Sequence, residues 1–428
     1  MTSIRRVKGM YDIVPEDAAR WHWVEGTTLE VLETYGYREL RLPLLEQTDL
    51  FARAMGESTD VVSKEMYAFE DRNGDHLALR PEGTAGCVRA VIQNGLLQGH
   101  ARKLWYGGPM FRRENVQRGR NRQFYQIGAE VFGLEGPDVD AEQLLMLDRL
   151  WKRLGLTGLR LEINSLGTAE ARARYRETLV DYFEARREAL DDDSVRRLEV
   201  NPLRILDSKN PAMSEVIAEA PSLLEHLDDA SREHFERLRS ILDEAGVAYH
   251  VNPRLVRGLD YYSRTVFECI TDELGAQGTV CAGGRYDGLV EAQGGKPTPA
   301  LGFAMGIDRL VELTQVQGRE APNEDAAVYL VLAGSGAQRA GLVLAEQLRE
   351  ALPRTRIECN LGGGSFKAQF KRADRSGARY AVVIGEDELA ASKATVKPLR
   401  STADQATVPL SELGGWLRDR LAEPPVKT

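Results

Sequence analysis

The spacing of apolar and polar positions changes period several times along the chain. Residues 15–36 read as a helix, with Pro15 at its start, Glu16 and Asp17 in the first turn and Gly36 at its end. The run YRELRLPLLEQ (37–47) alternates and is stopped by Pro43, which predicts a strand end or a sheet edge. EMYAFED and HLALR flank Arg72-Asn73-Gly74-Asp75, and Asn-Gly between such runs predicts a hairpin over 65–80. An amphipathic helix is predicted over 138–155 and a strand over 159–167. From Thr168 to about Gly246 the segments are long, charged and helical, and read as an insertion in the first domain. Strand character returns over 248–270, ahead of a glycine-rich stretch (275–290) and the run 299–313.

The most informative stretch is 105–133, which reads as two strands joined by a long polar loop. Side chains alternate faces along a strand. Tyr125, Ile127, Ala129 and Val131 therefore form an apolar face suited to a core. Phe124, Gln126 and Glu130 share the other face, with Gly128 leaving space between them. A ring, an amide and a carboxylate around a gap would line a small polar pocket. Between Arg112 and Arg122 there are five Arg and one Glu, so the adjoining loop suits a polyanionic substrate or a nucleic-acid backbone. A solvated hairpin with a charged tip reads the same way.

Residues 314–325 form a polar, Pro-containing linker, and the last hundred residues alternate strands with helices, which predicts a separate wound sheet. The expected domains are thus 1–324 and 325–428. A basic cluster, five basic residues against one acidic, falls between Phe366 and Arg379. A solvated helix face would look alike.

Composition narrows the class. Hydrophobic residues at 43% and charged residues at 28% are ordinary for a globular chain. No apolar run approaches the roughly 18 residues of a spanning helix, and the first twenty residues have no apolar signal core. Four scattered cysteines without a CxxC pair disfavour a disulfide framework or structural zinc, and a reducing cytoplasm fits. A net charge of -9 leaves room only for locally basic nucleic-acid contacts. Gly283-Gly284 fits neither GxGxxG nor a Walker A loop. In Arg80–Thr84 (RPEGT), Glu82 sits between Pro81 and Gly83, which suits a carboxylate presented at a fixed angle or one that opens the next helix.

Taken together, these segments resemble the bacterial histidine–tRNA ligase family of class II aminoacyl-tRNA synthetases over essentially the full length. The segment ending at Pro43 is similar to motif 1, GPMFRRE through RQFYQIGAEVFG to motif 2, and ALGFAMGIDRL to motif 3. RGLDYYSRTVFE and GTVCAGGRYDGLV resemble the two segments particular to the histidine enzymes, and GGGSFKAQFKRADRSGARYAVVIGEDE their anticodon-binding domain. The resemblance implies an α/β and α+β multidomain protein. Its catalytic domain would be built on an antiparallel sheet with a helical insertion, followed by an α/β anticodon-binding domain with a mixed sheet. It also implies a cytoplasmic homodimer.

The implied reaction uses L-histidine, ATP with Mg2+, and histidine tRNA, through histidyl-adenylate. Displacement at a phosphate is governed by positioning and charge stabilisation, which requires fixed cations. By the resemblance, Arg112 holds the α-phosphate, Arg309 and Arg120 lie toward the β- and γ-phosphates, and Arg257 lies by the carboxylate and α-phosphate. Phe124 stacks on adenine and Glu114 accepts from its amino group. Glu82, Thr84 and Gln126 take the histidine ammonium. Glu130 and a tyrosine of the Tyr261-Tyr262 pair, Tyr262 foremost, read the imidazole. A pocket that hydrogen-bonds a polar side chain rejects analogues lacking it by ~10⁴-fold or more, so no editing domain is expected. For tRNA, Gln117 and Arg118 face the acceptor end, and the cluster with Lys367, Lys371 and Arg372 faces the anticodon stem. No protein cage for a metal is implied.

Two other functions fit parts of the pattern. A histidine-sensing regulatory subunit of ATP phosphoribosyltransferase resembles the catalytic domain but typically lacks the C-terminal domain and catalytic arginines. A tRNA-sensing domain of certain kinases is a third class, yet nothing here resembles a kinase. Arg112, Arg257 and Arg309 are all present, with the C-terminal domain, which favours the ligase.

Overall fold

The computed structural model describes residues 4–57, 59–206, 208, 210–257, 259, 261–275, 278–322 and 327–422. Gly258 and Asp260 of the RGLDYY run lie outside these, as do 323–326 at the end of the linker. The chain divides into two compact units, Met1–Ala321 and Pro322–Thr428.

The first unit is organised around an eight-stranded sheet. Its order is Arg38–Glu39, Arg102–Phe111, Gln123–Phe132, Ala300–Gly306, Thr279–Arg285, Ser263–Ile270, Arg160–Ser165, His250–Val251. The six central strands are antiparallel, and each edge carries one short parallel strand. The alternation over 123–132 sorts as its pattern predicts. Ile127, Ala129 and Val131 join a core under the helices Pro15–Thr34 and Pro137–Arg153, while Phe124 and Phe132 belong to the opposite core.

The charged helical segment divides between the two faces. Helix Ala169–Glu184 buries Tyr175, Leu179 and Phe183 on the pocket side, and helix Asp229–Glu244 buries Phe235, Leu238 and Leu242 on the far side. There His234 and Arg285 meet Asp140. Arg285 is 0% exposed, and its buried charge is compensated by Asp140 and, at 3.3 Å, by Asp287.

The run 37–47 is not one strand. Arg38–Glu39 pairs with Leu104 and Trp105, whereas Leu45–Gln47 joins a separate three-stranded sheet with the hairpin Tyr67–Glu70 and His76–Leu79. Pro43 falls between them. It has no amide hydrogen for either ladder.

The second unit holds a five-stranded mixed sheet. Ile357–Cys359, Val328–Leu332 and Tyr380–Ile384 run parallel, and Lys393–Pro398 and Ala406–Pro409 continue antiparallel. Helices Ser335–Ala351 and Phe366–Arg375 pack on it.

Candidate active site

One deep pocket opens on the pocket face of the central strands. It is lined by Glu82, Thr84, Arg112, Glu114, Arg120, Phe124, Gln126, Arg257, Tyr261, Tyr262 and Arg309, which are eleven of the residues singled out above. They come from four separate parts of the sequence (82–84, 112–126, 257–262 and 309), and the fold brings them together.

The acidic wall is set by a helix start. Glu82 is buried, and its two oxygens accept from the amides of Thr84 (2.6 Å) and Ala85 (2.9 Å) as helix Thr84–Gln93 begins. Free amides at a helix N-terminus favour a carboxylate there. Glu82 thus opens the helix and lines the pocket as well; the two readings of RPEGT coexist. Burial nevertheless raises its pKa. Gln126 Oε1 is buried and has no hydrogen-bond partner among the described residues. Buried acceptors are rarely left so. It is therefore an open acceptor in a pocket with a carboxylate.

The cationic wall gathers four arginines. Arg112 donates through Nε to Pro81 O (2.9 Å), and its guanidinium lies 5.3 Å from the Phe124 ring centre. Arg309 donates to Thr279 O, and burial and then the charge of Arg120 lower its pKa. Mutual repulsion in a partly buried site is relieved by an anion. Glu114 offsets part of it through an ion pair with Arg120 at 3.2 Å. Arg257 is paired with Glu268, which also accepts from Thr279 Oγ1 (3.2 Å).

Glu130 departs from expectation. It is 0% exposed and does not line the pocket. Thr84 Oγ1 (2.8 Å) and Tyr106 OH (2.9 Å) donate to one oxygen and Tyr286 OH (2.6 Å) to the other. Burial pushes its pKa up to about 8, against the pull of those hydroxyls. The space beside Gly128 is also not pocket. Tyr106 fills it, and a Cβ on Gly83 or Gly128 would strike that ring, while one on Gly302 would strike Glu130.

Sequence reasoning missed Tyr106, Tyr286 and Glu268. Tyr286 stands in the quoted AGGRYDGL run and Glu268 ends the quoted RGLDYYSRTVFE run, so a signal existed for both; Tyr106 carried none beyond strand phase.

Gln117 and Arg118 are not among the residues that line this pocket. Gln117 and Arg120 close the turn of the polar loop through their backbones (3.2 and 2.9 Å), and exposed Arg118 pairs with Glu312 at 2.7 Å. In the second unit Lys367 and Lys371 are exposed. Arg372 differs: it donates to Asn360 Oδ1 (2.9 Å) and Gly363 O, which engages its guanidinium in holding the glycine loop.

A six-stranded antiparallel core with an arginine-lined pocket, fed by a long two-strand motif and a strand–helix motif ending at Arg309, is the catalytic domain of a class II aminoacyl-tRNA synthetase. Residues 9–310 match the family model described as histidyl-tRNA synthetase, and residues 327–420 match that of an anticodon binding domain. The chain belongs to the histidyl-tRNA synthetase family. It is 56% identical over 415 residues to a histidine–tRNA ligase of Halorhodospira halophila, covering 97% of this chain and 98% of that one. It is 57% identical over 420 residues to one of Alkalilimnicola ehrlichii, covering 98% and 97%. The crystal structure of apo S. aureus histidyl-tRNA synthetase superposes with a TM-score of 0.82 at 36% identity, covering 98% of this chain and all of that one.

Proposed function

We propose that the chain joins L-histidine to histidine tRNA in two steps. A histidine carboxylate oxygen attacks the α-phosphorus of ATP, and pyrophosphate leaves. The terminal ribose hydroxyl of the tRNA then attacks the carbonyl carbon, and AMP leaves. The single observation that carries this reading is the convergence of four arginines with Glu82 and the open acceptor of Gln126 in one pocket.

Each residue has a role in that chemistry. Glu82, Gln126 and the lone pairs of Thr84 Oγ1 accept from the ammonium. Arg112 and Arg257 hold the carboxylate and α-phosphate as charge builds in the transition state. Arg309 and Arg120 take the β- and γ-phosphates. Phe124 stacks on adenine, and Glu114 accepts from its amino group. Tyr262, with Tyr261, meets the imidazole. Glu130 acts on it from below, through the Tyr286 and Thr84 hydroxyls that it holds.

Mg2+ enters bound to the ATP phosphates. Among the described residues no group of three or more His, Cys, Asp or Glu is set to hold a metal. Gln117 and Arg118 meet the acceptor end; an exposed ion pair such as Arg118–Glu312 is worth little and exchanges readily for phosphate. Lys367 and Lys371 contact the anticodon stem, where unpaired bases can be read at their edges.

The working unit is a homodimer in the cytoplasm. One feature supports the dimer: Leu44, Leu45 and Phe69 are exposed by 44%, 44% and 47%. Such groups fit a face completed by a second copy. The reduced thiols at all four cysteines fit a reducing compartment.

The retained arginines and the anticodon-binding unit favour this function over histidine sensing alone. The test is ATP–pyrophosphate exchange with each of the twenty amino acids. Exchange with histidine and no other is expected; none with histidine would overturn the reading.

A further inference from the structure

The strand Ser263–Ile270 enters the sheet through a distorted turn beside the pocket. Arg264 has φ +46°, in the left-handed region that non-glycine residues seldom occupy. The ladder slips at the same point: Gly284 pairs with Val266, yet the next residue, Arg285, pairs with Ser263. Bulges of this kind re-aim side chains next to active sites. Tyr262, immediately before this strand, is buried and lines the pocket.

The groups that hold this turn come from the helical segment. Leu166 N donates to Arg264 O at 2.7 Å, and Arg264 N donates to Gly167 O at 2.9 Å. Two residues after Gly167, helix Ala169–Glu184 begins, and Arg172 near its start donates from Nη1 to the Tyr262 carbonyl. Arg172 also forms, with Arg257 and Tyr262, part of the wall of a second cleft that shares Arg257 and Tyr262 with the pocket. Arg172 reaches Tyr262 but does not itself line the candidate site.

We propose that Arg172 is a positioning residue of the histidine subsite: by fixing the Tyr262 carbonyl it sets the angle of the Tyr262 phenol from outside the catalytic sheet. This rests on the proposed function. A guanidinium gives a charge-assisted bond to the carbonyl, stronger than a neutral one. The helix does not depend on that bond for its place, because Tyr175, Leu179 and Phe183 on its other turns are fully buried. Losing Arg172 should therefore loosen Tyr262 without unfolding the segment. The effect should fall on histidine, whose imidazole meets Tyr262, rather than on ATP, which is held by Arg112, Arg120 and Arg309.

The test uses the full chain with Arg172→Met, which keeps the stem and removes the donors, and Arg172→Lys, which restores a charged donor. Histidine KM, ATP KM and kcat are measured by pyrophosphate exchange, with thermal unfolding alongside. We expect Arg172→Met to raise histidine KM about tenfold or more, as loss of a bond to a charged group implies, with ATP KM changed less than about twofold. Arg172→Lys should recover most of the loss. Equal rises in both KM values, a lowered kcat alone, or an unchanged histidine KM would each overturn the proposal. If Arg172→Met does not fold, Arg172→Gln carries the same comparison. Absence of histidine-dependent exchange in the unsubstituted chain would overturn the proposed function, and this inference with it.

Discussion

Arg257 and Glu268 are paired in the wall of the pocket, although eleven positions and a turn separate them in the chain. Glu268 also accepts from Thr279, so the guanidinium is held by an acid anchored to the next strand. One face of Arg257 is thereby fixed, and Arg257 Nε is buried without a partner among the described residues. A fixed cation costs no reorganisation as charge develops in a transition state.

Arg257→His should slow adenylation by about 10²-fold or more, the scale for loss of one preorganised charge donor, while histidine binding is partly kept. Single-turnover adenylate formation, with histidine affinity measured separately, checks the split. An unchanged adenylation rate would show that the cation acts elsewhere.

Removing residues from about 325 onward should reduce aminoacylation of tRNA far more than pyrophosphate exchange. The first unit has its own sheet and two cores, and the pocket lies wholly within it. If both activities fell equally, the second unit would serve folding or assembly rather than tRNA.

Glu130 gives a pH dependence with a definite sign. Its folded pKa, about 8, lies above that of an unfolded glutamate, about 4.3. Its contribution to stability is therefore full below about pH 4.3 and is lost as pH rises toward 8. Glu130→Gln cannot titrate there. The difference in Tm between Glu130→Gln and the unsubstituted chain should shift in favour of the variant from pH 5 to 8 and then level off. A difference independent of pH would show that Glu130 is ionised in the folded state.

Asp140 behaves in the opposite way. Burial alone would raise its pKa, but hydrogen bonding from His234 and the charge of Arg285 hold it at about 2. Its stabilisation is present above about pH 4, the unfolded value, and is lost as pH falls toward 2. Asp140→Asn removes the buried partner of Arg285 and leaves it only the more exposed Asp287 at 3.3 Å, which should cost up to about 3–5 kcal/mol in denaturant titrations at neutral pH.

The pocket face was legible in the chain where a strand was long and paired on both sides. Over 123–132 the phase of alternation sorted Phe124 and Gln126 from Ile127 and Ala129 correctly. It misassigned the depth of Glu130, because alternation gives a direction and not what stands in the way. Tyr106 stands there, carried by a neighbouring strand, and only the register that sets it opposite Gly128 shows it. In the run 37–47 Pro43 separates two short strands in different sheets, as the strand end predicted there requires. Charge spacing on the helix Phe366–Arg375 likewise does not show that exposed Arg372 is engaged by a nearby glycine loop.

Gly83, Gly128 and Gly302 have a consequence for any attempt to change which amino acid the pocket accepts. The three bare backbones close on one ring and one carboxyl, so the floor behaves as a single interlocked part. Enlarging one component without shrinking another has no room to succeed, and trimming Tyr106 or Glu130 alone leaves hydroxyls without their acceptor or donor. A new specificity at this floor therefore requires several simultaneous changes, and libraries that vary one position at a time will miss it.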